Sequence, residues 1–497
     1  MAKSSASALC LWLVLTGTFF RMSAEELKAG SLLEARLNVA TGSGISRPGD
    51  RVSATIIAPV YVDGRIVIPP EATISGDVQK VVRLGLGLKH LTASIDYNFD
   101  TLRLPGGEVI SIKTSLTEVE TAKERVSRDG VVHGISPTAN VSSSLASYAW
   151  PLLYAAPVAG LPVMAVKFLI ARSPDSEILF PVGTEMILRV TEPVKVPEAV
   201  SPMRVARITP EDEAEAHRIL ENYPQRAEKG GKPSDLLNIL FLGNAQQIDR
   251  AFRAAGWSGA ERTSPVSIYR MFHCLVERRG YKRAPMGKLT LNGTPADATY
   301  QKSLNTFSRR HHLRLWKNSD RPDVWVSAAT EDTAIRVQNM HLTHSIDPHI
   351  DDERAKVVND LVFTGCVDSA ALLPRSTVPP NLNEQGEDVL ITDGSIAILR
   401  LNDCHASQTP PLGIARKRPS RLVQGLVALR KDFVRSNAAF VGYRIMKLAA
   451  RSSSSSAALA RSSEGRQMIA PSLPPMRSRS SIFDAANRPA QQRSLRQ

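Results

Sequence analysis

Aromatic residues are scarce in this 497-residue chain, at 5%, although the apolar fraction, 43%, is that of an ordinary folded protein. Cysteine is thin as well: Cys10, Cys274, Cys366 and Cys404 are all there are, and none forms a C-x-x-C pair. That excludes a paired-cysteine zinc motif and a small disulfide-stapled fold. No phosphate loop or nucleophile elbow occurs, and Gly243 after LLNILFL lacks the further glycines that would cradle a phosphate. An excess of one charge sign is missing from most of the chain. Of 62 basic and 48 acidic residues, 17 and 3 fall in 411–497, which leaves 45 of each in 1–410. The whole formal charge of +14 therefore belongs to the C-terminal segment, and attraction to an anionic membrane surface or polyanion is expected of 411–497 alone, without sequence-specific nucleic-acid recognition.

What is present begins with an address. Lys3, the apolar run ALCLWLVLTGTFF and the small residues before Glu25 predict a signal peptide over 1–24, because the run is too short to span a bilayer as a helix. Localisation in the periplasm or cell envelope follows. Export makes disulfides possible. Cys366 and Cys404 fall at the ends of apolar segments in one predicted domain and form the candidate bridge; three buried, unbridged cysteines in the mature chain are the alternative.

From 27 to 195 the pattern has a period of two. In LLEARLNV, Leu33, Ala35, Leu37 and Val39 alternate with Glu34, Arg36 and Asn38, which predicts one row on a core and the other in water. Further short strands follow, separated by Arg47-Pro48-Gly49-Asp50, Asp63-Gly64 and Pro105-Gly106-Gly107, and together they predict a barrel or sandwich. EILFPVGTEMILRV echoes RIVIPPEATISGDV and is expected to return the chain to the same sheet. Between them, 145–166 carries no charge, but Pro151, Pro157 and Pro162 interrupt it. A broken apolar helical hairpin packed on protein is expected there, with membrane insertion as the alternative. The Pro-Gly-Asp turn, VDGRIVIPPEATISGDV, LPGGEVISI and FPVGTEMILRV resemble the TrbI-like barrel domain of conjugation and type IV secretion scaffolds. That resemblance implies a periplasmic barrel and secretion or envelope partners.

A linker and helix over 196–234 precede an α+β domain over 235–410. TPEDEAEAHRILENYPQRA reads as a helix capped by Thr209 with Pro210 at its first position, and AQQIDRAFRAAGW and VSIYRMFHCLVERRG read as further helices among strands. LNILFLG, AFRAAGW, KSLNTFSRRHHLRLW, VWVSAATEDTAI, THSIDPHIDDERAKVVNDLVFTGC and TDGSIAILRLNDC are similar to the C-terminal domain of LssY-type proteins, a resemblance that brings no catalytic residues with it.

Chemistry is therefore sought in the side chains themselves. In FSRRHHLRLW, strand alternation puts Arg309, His311, Leu313 and Leu315 on one face and Arg310, His312, Arg314 and Trp316 on the other. In HLTHSIDPHIDDER, Asp351, Asp352 and Glu353 are expected to cap the helix that follows, with Asp352 pairing with Lys356. That leaves His341, His344, Asp347 and His349, of which His344 and Asp347, with His311, are the candidate catalytic or metal-binding residues in a cleft with Arg309, and Arg309 and Arg310 are candidate anion holders. The competing reading is an internal hydrogen-bond network. No motif identifies a particular metal or cofactor.

Two apolar-basic segments, SRLVQGLVALRKDFVRSN and AAFVGYRIMKLAA, predict basic amphipathic helices over 411–450, and the Ser- and Arg-rich remainder, 451–497, is expected to be disordered. The architecture expected is thus a mostly-β barrel or sandwich with an apolar helical insertion, an α+β domain, and a basic tail. The leading functional expectation is an exported envelope protein that binds or serves secretion without catalysis. The alternative is a metal-dependent or phosphoester hydrolase using His311, His344 and Asp347.

Overall fold

The computed structural model describes residues 24–404 apart from 64, 84–91, 121–123, 135–152, 154, 163–176, 198–204, 278–279, 305–308, 339–340 and 376–389. The predicted leader, Ala24 excepted, and both tail segments, 411–450 and 451–497, lie outside the described residues. Of the apolar insertion only 153 and 155–162 fall inside, where Val158 and Leu161 are exposed.

Alternation builds the first unit. Leu33, Ala35 and Leu37 on β1 (Leu32–Leu37), Val52, Ala54 and Ile56 on β2 (Arg51–Ile56) and Ile74 and Val78 on β3 (Thr73–Val82) point into one apolar core. Ile95, Tyr97, Phe99 and Leu102 on β4 (Ser94–Arg103), Leu116 and Val119 on β5 (Thr114–Val119), and Met186, Leu188 and Val190 on β6 (Glu185–Val190) complete it. The antiparallel order is β4-β3-β2-β1-β6-β5. The sheet curls until its ends meet: Ile112 N donates to Asp100 O at 2.8 Å and Thr114 Oγ1 to Phe99 O at 2.7 Å, giving a nearly closed barrel. Curling demands a close approach at Gly76, where the register with β4 shifts and an added Cβ would stand 1.7 Å from Asn98 O. A strand pair, Ala24–Leu27 with Val194–Pro197, ties the chain's entry to its exit.

The second unit is a sheet with helices on both faces. Before it lies α1 (Pro210–Glu221), whose Thr209 cap accepts from Asp212 N. Then come β7 (Ile239–Leu242), α2 (Ala245–Ala254) with an Asn244–Gln247 capping box, and α3 (Pro265–Glu277). The long strands β8 (Ala298–Ser303), β9 (Arg310–Lys317), β10 (Val324–Gln338) and β11 (His341–Ile346) lead into α4 (Ile350–Phe363), and β12 (Val367–Leu373) and β13 (Ile396–Leu401) finish the unit. The order is β12-β13-β7-β10-β9-β8, with β11 also on β10 and only β7 and β13 parallel among these neighbours.

Strand alternation splits the apolar side chains between two clusters. Ile239, Phe241, Leu313 and Leu315 meet α2 and α4 through Phe252, Val357 and Leu361, while Leu240, Leu242, Trp316 and Val326 meet α1 through Ala216 and Ile219. The fold is mostly β with few helices. Cys366, just before β12, and Cys404, just past β13, are joined as a disulfide, and Cys274 is buried on α3.

Candidate functional site

The densest group of ionisable side chains lies where the barrel meets α4. On α4, Glu353, Lys356 and Asp360 recur at spacings of three and four and form one stripe, continuous with the apolar stripe of Val357 and Leu361. From the sheet come Lys302 on β8, His311 on β9 and its cross-strand partner Glu331 on β10. From the barrel come Glu34 and Arg36 on β1, Glu185 on β6 and Glu120 just past β5. These barrel residues alternate with the core positions and so point outward, but the second unit covers them. Water is replaced by protein around residues whose strand pattern predicts exposure: Glu34 is 8% exposed and Glu120 2%.

The charges are closely paired. Lys302 Nζ donates to Glu185 Oε2 and Asp360 Oδ2, both at 2.7 Å, and lies 3.4 Å from Glu120 Oε2. Lys356 Nζ reaches Asp360 Oδ1 at 2.7 Å, Glu34 Oε2 at 3.0 Å and Glu120 Oε1 at 3.2 Å. Arg36 donates to Glu185 Oε1 at 2.6 Å and stacks its guanidinium over Phe363, and Trp257 Nε1 donates to Asp360 Oδ2 at 2.8 Å. Both lysines are almost wholly buried.

Burial alone would discharge these lysines, but the attraction of Asp360 and the barrel carboxylates outweighs it and leaves both raised, Lys356 well above the ordinary range. Burial likewise works against Glu185 and Asp360, yet the lysines hold both below the usual carboxylate range, Glu185 well below it. Glu120 is the exception: burial prevails over the pull of Lys356 and Lys302 and pushes it up to about 7.

Beside this network stands a histidine. His311 Nδ1 is 2.7 Å from Glu353 Oε2 and 3.8 Å from Glu331 Oε2, and Nε2 is 3.7 Å from Glu120 Oε1. His311, Glu331 and Glu353 each present a ligand atom within 4.8 Å of the others, and all three are buried. Arg309 completes the joint by bridging Glu331 of the sheet, at 3.1 Å, and Glu118 of the barrel.

The structure does not bring the expected His311, His344 and Asp347 together. His311 faces α4, whereas His344 Nδ1 lies across the sheet, 3.5 Å from Asp332 Oδ2. There Asp332 also accepts from Arg310 at 2.8 Å and approaches His312 Nδ1 at 3.5 Å. The physical reason is the pleat: Arg310 and His312 pair with Asp332 and Thr330 on one face of β9, and His311 pairs with Glu331 on the other. Burial pushes His312 down to about 4 and also lowers His344. Asp347 Oδ1 accepts from His349 N at 2.9 Å and holds the turn into α4. Arg309 and Arg310 are both engaged with carboxylates.

Asp351, Asp352 and Glu353 do stand in the first turn of α4, as expected, but the cap itself and the partners of Asp351 and Glu353 differ. His349 occupies the N-cap without a side-chain cap bond. Asp351 accepts from Asp393 N at 2.6 Å and Arg354 Nη1 at 2.9 Å, and Glu353 turns inward to His311. Lys356 reaches Asp360 and the barrel carboxylates named above, because α4 is wedged between sheet and barrel and has little face left for water. Glu120, Glu185, Lys302, Glu331 and Asp360 carry no local motif. Their partners are far away in sequence, and the available sign was a charged stripe on α4 at core spacing.

A mostly-β protein with a barrel-like sheet sealed against a helix-covered second sheet is the class that fold and site define. Residues 218–396, from the last turn of α1 into β13 of the second unit, match the family model described as LssY C-terminus. A comparison with curated proteins finds no match. Among solved structures, ComB10 of the Com type IV secretion system of Helicobacter pylori is similar at 11% identity and a TM-score of 0.21, over 34% of this chain and 90% of that one.

Proposed function

We propose that this is an exported cell-envelope protein that works by binding, as a rigid two-unit scaffold associated with secretion rather than as a hydrolase. The observation that carries the non-enzymatic reading is burial. The site richest in acids, bases and cations is closed by protein on every element that contributes to it, with His311 at 0% exposure and Lys302 and Lys356 at 1%. Catalysis needs a group within hydrogen-bond reach of a substrate, and among the described residues the buried lysines and carboxylates here are engaged chiefly with one another. Rigidity is what such a joint supplies. Long-range charge pairs excluded from water hold two curved sheets in one register, and removing any partner leaves a buried charge uncompensated.

Export is supported by the leader pattern and by the Cys366–Cys404 disulfide, a bond that persists in oxidising compartments and is rare in the cytosol. The partners proposed are envelope or secretion components for the folded units and an anionic membrane surface or polyanion for 411–497.

Fractionation of cells making the full chain tests this reading. The mature protein is expected in the periplasmic or envelope fraction, beginning close to Glu25, with Cys366 and Cys404 shielded from alkylation until a reductant is added. Recovery from the cytosol with Met1 intact and both thiols alkylated overturns it.

A further inference from the structure

We propose that His311, Glu331 and Glu353 bind a divalent transition-metal cation of the zinc or manganese class, which fastens α4 to the sheet beneath the barrel. The inference is independent of the function proposed above, since a structural cation serves a scaffold and an enzyme alike.

Geometry comes first. The ligand atoms come from β9, β10 and α4, and His311 Nδ1 lies 2.7 Å from Glu353 Oε2 and 3.8 Å from Glu331 Oε2. Nitrogen and oxygen ligands held at about 2.0–2.2 Å around a tetrahedral cation stand roughly 3.3–3.6 Å apart, so small side-chain adjustments suffice.

An independent sign is Glu353 itself. It is 2% exposed, and its Oε1 accepts no hydrogen bond. Leaving a buried carboxylate oxygen without a donor costs free energy, and bidentate chelation through Oε1 and Oε2 removes that cost while supplying a fourth donor.

The surroundings assign the histidine's two edges. Glu120 Oε1 faces Nε2, and Lys356 and Lys302 bind Glu120 on that same side, which leaves the Nδ1 edge to Glu331 and Glu353. A carboxylate hydrogen-bonded to the far nitrogen orients metal-binding imidazoles, and Glu120 stands on that side at 3.7 Å, beyond hydrogen-bond length. Arg309 engages Glu331 through Oε1, so that Oε2 is the atom turned towards His311. One imidazole and two carboxylates, without thiolate, suit zinc or manganese rather than copper(I) or an iron–sulfur cluster.

The test uses untagged full-length protein exposed to Zn2+ or Mn2+, freed of excess metal, and assayed by plasma mass spectrometry. Wild type is expected to retain a stoichiometric amount. Glu353→Gln and Glu331→Gln, close in shape but uncharged, are expected to bind at least about tenfold more weakly, while Asp332→Asn on the opposite sheet face retains the metal. Trp257 gives a second readout that does not depend on the site variants folding, because its ring lies 6.4 Å from that of His311. Co2+ should quench wild-type fluorescence, and Trp257→Phe should lose that quenching. The inference is overturned if folded wild type retains neither cation, if both glutamine variants keep the metal, or if Co2+ leaves Trp257 emission unchanged.

Discussion

Lys356 shows how much rests on single residues. Its ammonium has Asp360, Glu34 and Glu120 within 3.2 Å, in a place where water cannot replace it. Lys356→Met fills nearly the same volume but strands those carboxylates, so the first urea transition is expected to fall by the equivalent of about 3–5 kcal/mol. Acid should weaken the same network. Glu185 and Asp360 have folded values held below the unfolded ones, so the stability they contribute is fully present above the unfolded carboxylate range and is lost as pH falls through the folded values. A melting temperature that declines steeply below about pH 4, and less so in Lys356→Met, is the expected profile. Glu34 and Arg36 could be placed opposite the core row from the sequence. Whether water or protein lay on that side was not legible, because the covering residues are some three hundred positions away.

At the scale of elements, barrel curvature and loop closure each allow a measurement. Gly76→Ala would drive a Cβ into Asn98 O, a backbone atom that cannot swing aside. The expected cost is about 1–3 kcal/mol of stability from overpacking, with the sheet otherwise retained by circular dichroism. The Cys366–Cys404 bridge spans 38 residues and secures the stretch that contains β12 and β13. Chain-entropy arguments put its contribution at about 4 kcal/mol, so reduction, or Cys366→Ala, is expected to lower the denaturation midpoint by a corresponding amount. Period-two patterning made the strands themselves legible. It also separated the faces of β9 correctly, since alternation is a property of the backbone. The same rule shows why His311 and His312 belong to different environments and why a shared site for His311 and His344 does not form.

For the whole molecule, the joint predicts cooperative behaviour. With Lys302, Lys356 and Arg309 bridging the two units, a single thermal transition is expected for wild type, and two for Lys356→Met as the units lose their coupling. Calorimetry distinguishes the two outcomes. The positive charge of 411–497 predicts a separate behaviour: sedimentation with anionic vesicles that weakens with salt and disappears when the chain is cut after residue 410, with the melting of the folded units unchanged.

By itself, the sequence determined the local choices: which segments alternate, where α1 and α2 begin, where the net charge resides, and that HLTHSIDPHIDDER runs into a helix. These follow from backbone geometry and short-range capping, which a few neighbouring residues suffice to specify. Only the tertiary structure decided that Glu353, Lys356 and Asp360 face inward, that Glu120 and Glu185 meet them, and that His311 stands among carboxylates. Burial depends on what packs above a residue, and here each half of the cluster is exposed until the other half covers it.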